Sequence, residues 1–151
     1  MTELFKTAPE CEIVSTRILE VNKEMLFSAF SNRNVLQEWW GPEGFTNTFN
    51  EFDFREGGRW KFVMHGPENR NYQNEVEFVK IDRPDIIAWI RLSKPLFNVV
   101  FTFNEMEANK TKLILRMVFD NEYECNKIKG FAIGKNEENF DRLENALEKM
   151  I

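Results

Sequence analysis

The last 24 residues, IKGFAIGKNEENFDRLENALEKMI (128–151), decide the fold. Ile133, Phe140, Leu143, Leu147 and Met150 fall on one stripe at a 3.6-residue period, with Glu137, Glu138, Arg142, Glu144 and Glu148 largely off it. The spacing predicts a terminal helix of about five turns ending near Lys149, with one apolar face that must be covered. Gly130 and Gly134 interrupt its start. A glycine inside a helix costs about 1 kcal/mol relative to alanine. Either the regular helix begins only near Lys135, or something packs closely against the two glycines.

What covers that face is written upstream. Residues 46–54, 59–65, 73–82, 86–92, 97–106 and 111–119 read as six strands. They are parted by Glu56-Gly57-Gly58, Gly66-Pro67-Glu68-Asn69, Arg83-Pro84-Asp85 and residues 107–110, all turn compositions. Before them, residues 13–21 read as a first strand. Two short helices follow, one after the N-cap candidate Asn22 over Lys23–Ser31 and one over 34–40, stopped by Gly41-Pro42. Strands in a run with helices segregated to the ends predict an α+β fold, a curved antiparallel sheet wrapped around a long C-terminal helix, as a single domain over 1–151.

Composition narrows the function. The net charge is −5 and no basic run occurs, which argues against a nucleic-acid partner. No stretch of 18 apolar residues suggests a membrane span. Residues 1–10 are too polar and acidic for a secretory leader. Cys11 and Cys125 are not at metal-ligand spacing and read as free thiols in a reducing cytoplasm. The aromatic load, with 15 Phe and 4 Trp, fits either a thick core or a lined cavity.

One series of motifs resembles a known superfamily. Residues 39–45 read Trp-Trp-Gly-Pro-Glu-Gly-Phe, residues 53–60 read Asp-Phe-Arg-Glu-Gly-Gly-Arg-Trp, and Met64-His65-Gly66-Pro67 and Phe140-Asp141-Arg142-Leu143 follow. The series resembles the START-like, helix-grip (SRPBCC-type) superfamily over about residues 13–150. Within it, it looks most like the branch named after the C-terminal domain of the activator of heat-shock-chaperone ATPase. The resemblance implies one strand, two helices, six strands and a helix, the order already read from the residues. The co-chaperone itself resembles two domains, and the second has no room in these residues. The superfamily also admits polyketide cyclases and lipid carriers, so function must be argued from the site.

The site is expected between sheet and helix. In 59–65, Trp60, Phe62 and Met64 point to one face, leaving the lone His65 on the other. With no second ligand at suitable spacing, His65 reads as a surface residue, and no metal or cofactor is expected. Glu51 and Asp53 could form an acid–base pair, but Asp53 pairing with Arg55 or Arg59 around the glycine turn is the plainer reading. No catalytic motif appears, so no catalytic residue is assigned.

Asn74, in phase with Val76 and Phe78, and Asn136, between Leu143 and Leu147 on the helical wheel, stand on faces that should be apolar. A buried amide must find a partner, so both are candidate ligand contacts. Trp40 and Phe45 are expected at the mouth, and Trp60, Phe62, Phe101 and Phe140 around a cavity of roughly 300–1,000 Å³. The facing of Arg17, Arg91 and Arg116 is left open. These residues predict a binding domain for a small hydrophobic or aromatic molecule. A cyclase-like enzyme acting on an aromatic substrate and a chaperone cofactor are the alternatives.

Overall fold

Two asparagines begin two helices by the same device. Asn22 accepts a hydrogen bond from the Met25 amide and starts α1 (Lys23–Ser31); Asn121 accepts from the Glu124 amide and starts α3 (Glu122–Met150). The computed structural model describes residue 5 and residues 8–151. Most of the 1–10 segment read against a secretory leader therefore lies outside the described residues.

Between those helices run α2 (Arg33–Trp39) and β2 (Thr46–Phe52), β3 (Arg59–His65), β4 (Asn71–Asp82), β5 (Ile86–Arg91), β6 (Asn98–Glu107) and β7 (Lys110–Val118), with β1 (Glu12–Leu19) ahead of α1. The strands form one antiparallel sheet in the order β1-β7-β6-β5-β4-β3-β2. The hairpins run in chain order from β2 to β7, and β1 joins the far side of β7. The Glu56-Gly57-Gly58 turn requires its glycines: Gly57 has φ +84°, and a Cβ on Gly58 would run into the Asp53 carbonyl.

One face of the sheet carries the core. Trp60, Phe62, Val76, Phe78, Ile87, Trp89, Val99, Phe101, Phe103, Leu113, Leu115 and Met117 are buried there. Register shifts after Phe49 and Phe78 move the alternation by one residue and bend the strands. Against this face lie Leu26, Phe27 and Phe30 of α1 and Phe140, Leu143, Ala146 and Leu147 of α3. Among the described residues no helix is long and apolar enough to cross a membrane.

The terminal helix is longer than its stripe predicts. It spans 29 residues, about eight turns. Gly130 and Gly134 lie inside it, exposed, and a Cβ on either would meet nothing within 4 Å. Neither expected reason for them holds: the helix does not begin near Lys135, and nothing packs on them. The Asn121 cap and the downstream stripe carry the helix through. Ile133 is 47% exposed, and the buried residues of the helix run from Cys125 through Ala132 to Phe140 and beyond.

The open arginines now have directions. Arg17 faces α3 and pairs with Glu137 (2.9 Å), Asp141 (3.1 Å) and Glu144. Burial works against its charge, but hydrogen bonds to the three carboxylates outweigh that and raise its pKa. Arg116 lies on the other face and pairs with Glu12 at 2.8 Å. Arg91 shares the inward face of β5 with Ile87 and Trp89.

Candidate functional site

The space between sheet and α3 is filled unevenly. Toward α1 and α2 it is solid aromatic packing: Phe30 lies 4.9 Å from Trp39 and 4.8 Å from Phe101, and Phe27 lies 5.3 Å from Phe103, centroid to centroid. At the opposite end a cleft of about 150 Å³ remains. That is smaller than expected, because α1 and α2 bring their own rings into the curve of the sheet. It is of the size that has held a single benzene ring in an engineered apolar cavity, about 150 Å³.

The floor of the cleft is Phe62, Met64, Trp89, Val99, Leu115 and Met117 from β3, β5, β6 and β7, with Phe97 at the edge. The roof is Lys135, Asn136 and Asn139 on α3, and one wall is Trp40-Gly41-Pro42. Arg91 completes the lining. The walls are apolar, and the polar groups are two amides and two cations.

The wall is firmly held. Arg142 Nη1 donates to the carbonyls of Trp40 (3.1 Å), Gly41 (2.9 Å) and Pro42 (3.0 Å), and its Nη2 donates to that of Glu38 (2.8 Å). It thereby satisfies the free carbonyls at the end of α2. Burial holds its pKa below the usual value. Asn47 Nδ2 also donates to the Trp40 carbonyl at 2.8 Å, and Asn139 Nδ2 to the Trp39 carbonyl at 2.9 Å.

The structure divides the sequence-predicted residues into two groups. Trp40, Phe62 and Asn136 line the cleft. Asn136 Nδ2 donates to Ser15 Oγ at 3.1 Å and lies 3.5 Å from Met117 Sδ. Phe45 sits just outside the mouth, where its ring packs 6.0 Å from that of Tyr72 and fills the space beside Gly66. Trp60, Phe101 and Phe140 lie in the packed core rather than on the cleft wall. Trp60 is wholly buried, stacked 4.1 Å from Phe62, and its indole N–H finds no partner among the described residues. Asn74 lies inward as predicted by its phase, but it does not line the cleft: its amide is engaged with the Tyr72 carbonyl and with Arg91.

The remaining candidates do not line the cleft. His65 bridges Thr48 Oγ1 (2.8 Å) and Asn71 Oδ1 (2.6 Å) across three strands. Asp53 accepts from Arg55 Nε at 2.8 Å, and Glu51 lies 3.8 Å from Lys61. No group of three His, Cys, Asp or Glu could hold a metal among the described residues. Cys11 and Cys125 are free thiols, and burial pushes the Cys125 thiol up.

Sequence reasoning did not place Arg91 in the site. Arg91 Nε donates to the Pro95 carbonyl (2.8 Å), and its Nη2 to Asn74 Oδ1 (2.8 Å) and Ser93 Oγ (3.2 Å). Its guanidinium carbon stands 5.2 Å from the Phe97 ring centroid, a cation–π contact. Desolvation lowers its pKa to about 10, so it stays charged at neutral pH.

Comparisons with other proteins agree with this architecture. The family described as Activator of Hsp90 ATPase homolog 1-like protein matches residues 20–148. No curated protein matches the chain. A crystal structure of a Nitrosomonas europaea protein superposes with a TM-score of 0.86 at 15% identity, covering 97% of this chain and 99% of the other. A solution structure from Arthrobacter aurescens gives 0.86 at 17% identity, covering 95% and 90%. The AHSA1 protein of Silicibacter pomeroyi gives 0.73 at 19% identity, covering 93% and 99%. At these identities the likeness is one of fold.

Proposed function

Since the chain belongs to the Activator of Hsp90 ATPase homolog 1-like family and has its START-like, helix-grip fold, we propose that it binds a small hydrophobic molecule in the cleft between sheet and α3. The observation that carries this reading is the composition of the lining: a floor of rings, methyls and thioethers under a roof with two asparagines. Such a site takes up an apolar body, and a few polar groups orient it. The volume favours a molecule of about one ring.

The cyclase alternative asks for an acid–base group within reach of the substrate. Among the described residues the lining has no Asp, Glu, His, Cys or Tyr, which supports binding ahead of turnover. A chaperone-cofactor role draws on the family's name, whereas the cleft draws on this chain's own residues. The two free thiols support a reducing compartment, and with it the cytoplasm.

Native mass spectrometry of the purified protein, with and without a panel of one-ring aromatic compounds, tests the reading. The expected result is a retained adduct at one per chain. Conversion of the bound compound to a product would replace binding with catalysis. Absence of any adduct across the panel would count against the cleft as a site.

A further inference from the structure

Arg91 is a cation in an apolar place. The chain carries a net charge of −5, yet among the described residues no acidic side chain lines the cleft. Among the described residues the two charged liners are Arg91 and Lys135. The acidic residues closest in the strand order, Glu75 and Glu77 on neighbouring β4, are paired with Arg59 at 2.8 and 3.4 Å. Among the described residues Arg91 has no carboxylate partner, and its three recorded hydrogen bonds all go to neutral oxygens. Those bonds use Nε and Nη2. Of the five N–H groups a guanidinium offers, the two on Nη1 have no acceptor among the described residues.

The same bonds orient the group. Asn74, Ser93 and the Pro95 carbonyl hold one edge of the guanidinium, and Phe97 lies against it. A planar fork held in this way is suited to a carboxylate, which it can meet with charge-assisted hydrogen bonds about twice as strong as neutral ones.

We propose that the ligand of this cleft is a small aromatic or branched carboxylic acid, its apolar body on the sheet floor and its carboxylate on Arg91. This rests on the binding reading above and adds the sign of the ligand's charge. Desolvation works against the charge of this cation, and an anion entering the cleft favours it. Lys135, exposed on the roof of the cleft, adds attraction during entry.

Three probes of nearly equal shape separate the two ideas: phenylacetate, phenylacetamide and phenethylammonium, titrated by calorimetry. Phenylacetate is expected to bind about tenfold more tightly than the amide, and the ammonium weakest of all. In Arg91→Met, phenylacetate should fall to the affinity of the amide, with the amide unchanged. Equal binding of acid and amide, or an acid affinity unmoved by Arg91→Met, overturns the proposal and leaves the cleft reading standing. Failure of all three probes to bind removes both. Should Arg91→Met not fold, the order of the three probes on the unaltered protein decides.

Discussion

Asn74 Oδ1 accepts a hydrogen bond from Arg91 Nη2 at 2.8 Å, one inward position along from the β4–β5 pair Val76–Arg91. The amide's other end donates to the Tyr72 carbonyl at 2.9 Å, so both ends of Asn74 are engaged. On the proposed reading, Asn74 aims Arg91, the residue proposed to meet the ligand. Replacing Asn74 with Ala is expected to cost about 1.5–3 kcal/mol of stability, the worth of a hydrogen bond to a charged group. In an Arg91→Met background most of that cost should vanish. A double-mutant cycle by urea denaturation checks this, and additive effects would mean that the pair is not coupled.

The two glycines of α3 offer a gain. Both are helical, exposed and open around the Cβ direction. Gly130→Ala and Gly134→Ala should each stabilise the protein by about 0.5–1 kcal/mol, because alanine loses less backbone freedom on folding. Thermal melts would show a higher Tm for each and a larger rise for the double variant.

Arg17 fastens β1 to α3 through three carboxylates spaced four and three residues apart on one helix face. The acidic side chains are 45–63% exposed, so solvent weakens each pair. Arg17→Met should cost about 1 kcal/mol, since it also leaves three like charges facing one another. The penalty should shrink in 1 M salt, where screening acts within about 3 Å. Denaturation at low and high salt measures both.

Gly41 shapes the cleft wall. Its φ is +99°, and a Cβ there would lie 2.7 Å from Met64 Cε on the floor. Gly41→Ala is expected to destabilise by about 1–3 kcal/mol from backbone strain and to push Met64 into the cleft. Loss of probe affinity beyond the stability loss would show the second effect.

Most of the fold was legible because its periodicities were clean. Trp60 and Phe62 alternate with Arg59 and Lys61, and the Phe140–Leu147 stripe has a single face. Arg91 was not legible, since Ile86-Ile87-Ala88-Trp89-Ile90 is apolar on both faces and alternation cannot say which side Arg91 joins. Its register with Val76 settles it. The first turns of α3 hid behind two glycines and small buried residues, Cys125 and Ala132, which leave a weak stripe. Trp60, Phe101 and Phe140 face inward as expected, but no sequence pattern separates a ring in packed core from one beside a void; how far α1 fills the sheet's curve decides that.

The central claim is that this cleft is a binding site. Val99, 4% exposed, is one of its floor residues, and Val99→Phe places a ring where the ligand's ring should lie. Four tryptophans report on the region: Trp40 lies 5.4 Å from Trp60, 5.6 Å from Trp89 and 5.7 Å from Trp39. The decisive measurement is tryptophan fluorescence during titration with phenylacetate and phenylacetamide, for the unaltered protein and for Val99→Phe shown by circular dichroism to be folded. The account predicts a saturable change in the first with at least one probe and none in the second. A folded Val99→Phe that responds with undiminished affinity, or an unaltered protein that responds to neither probe, would contradict it.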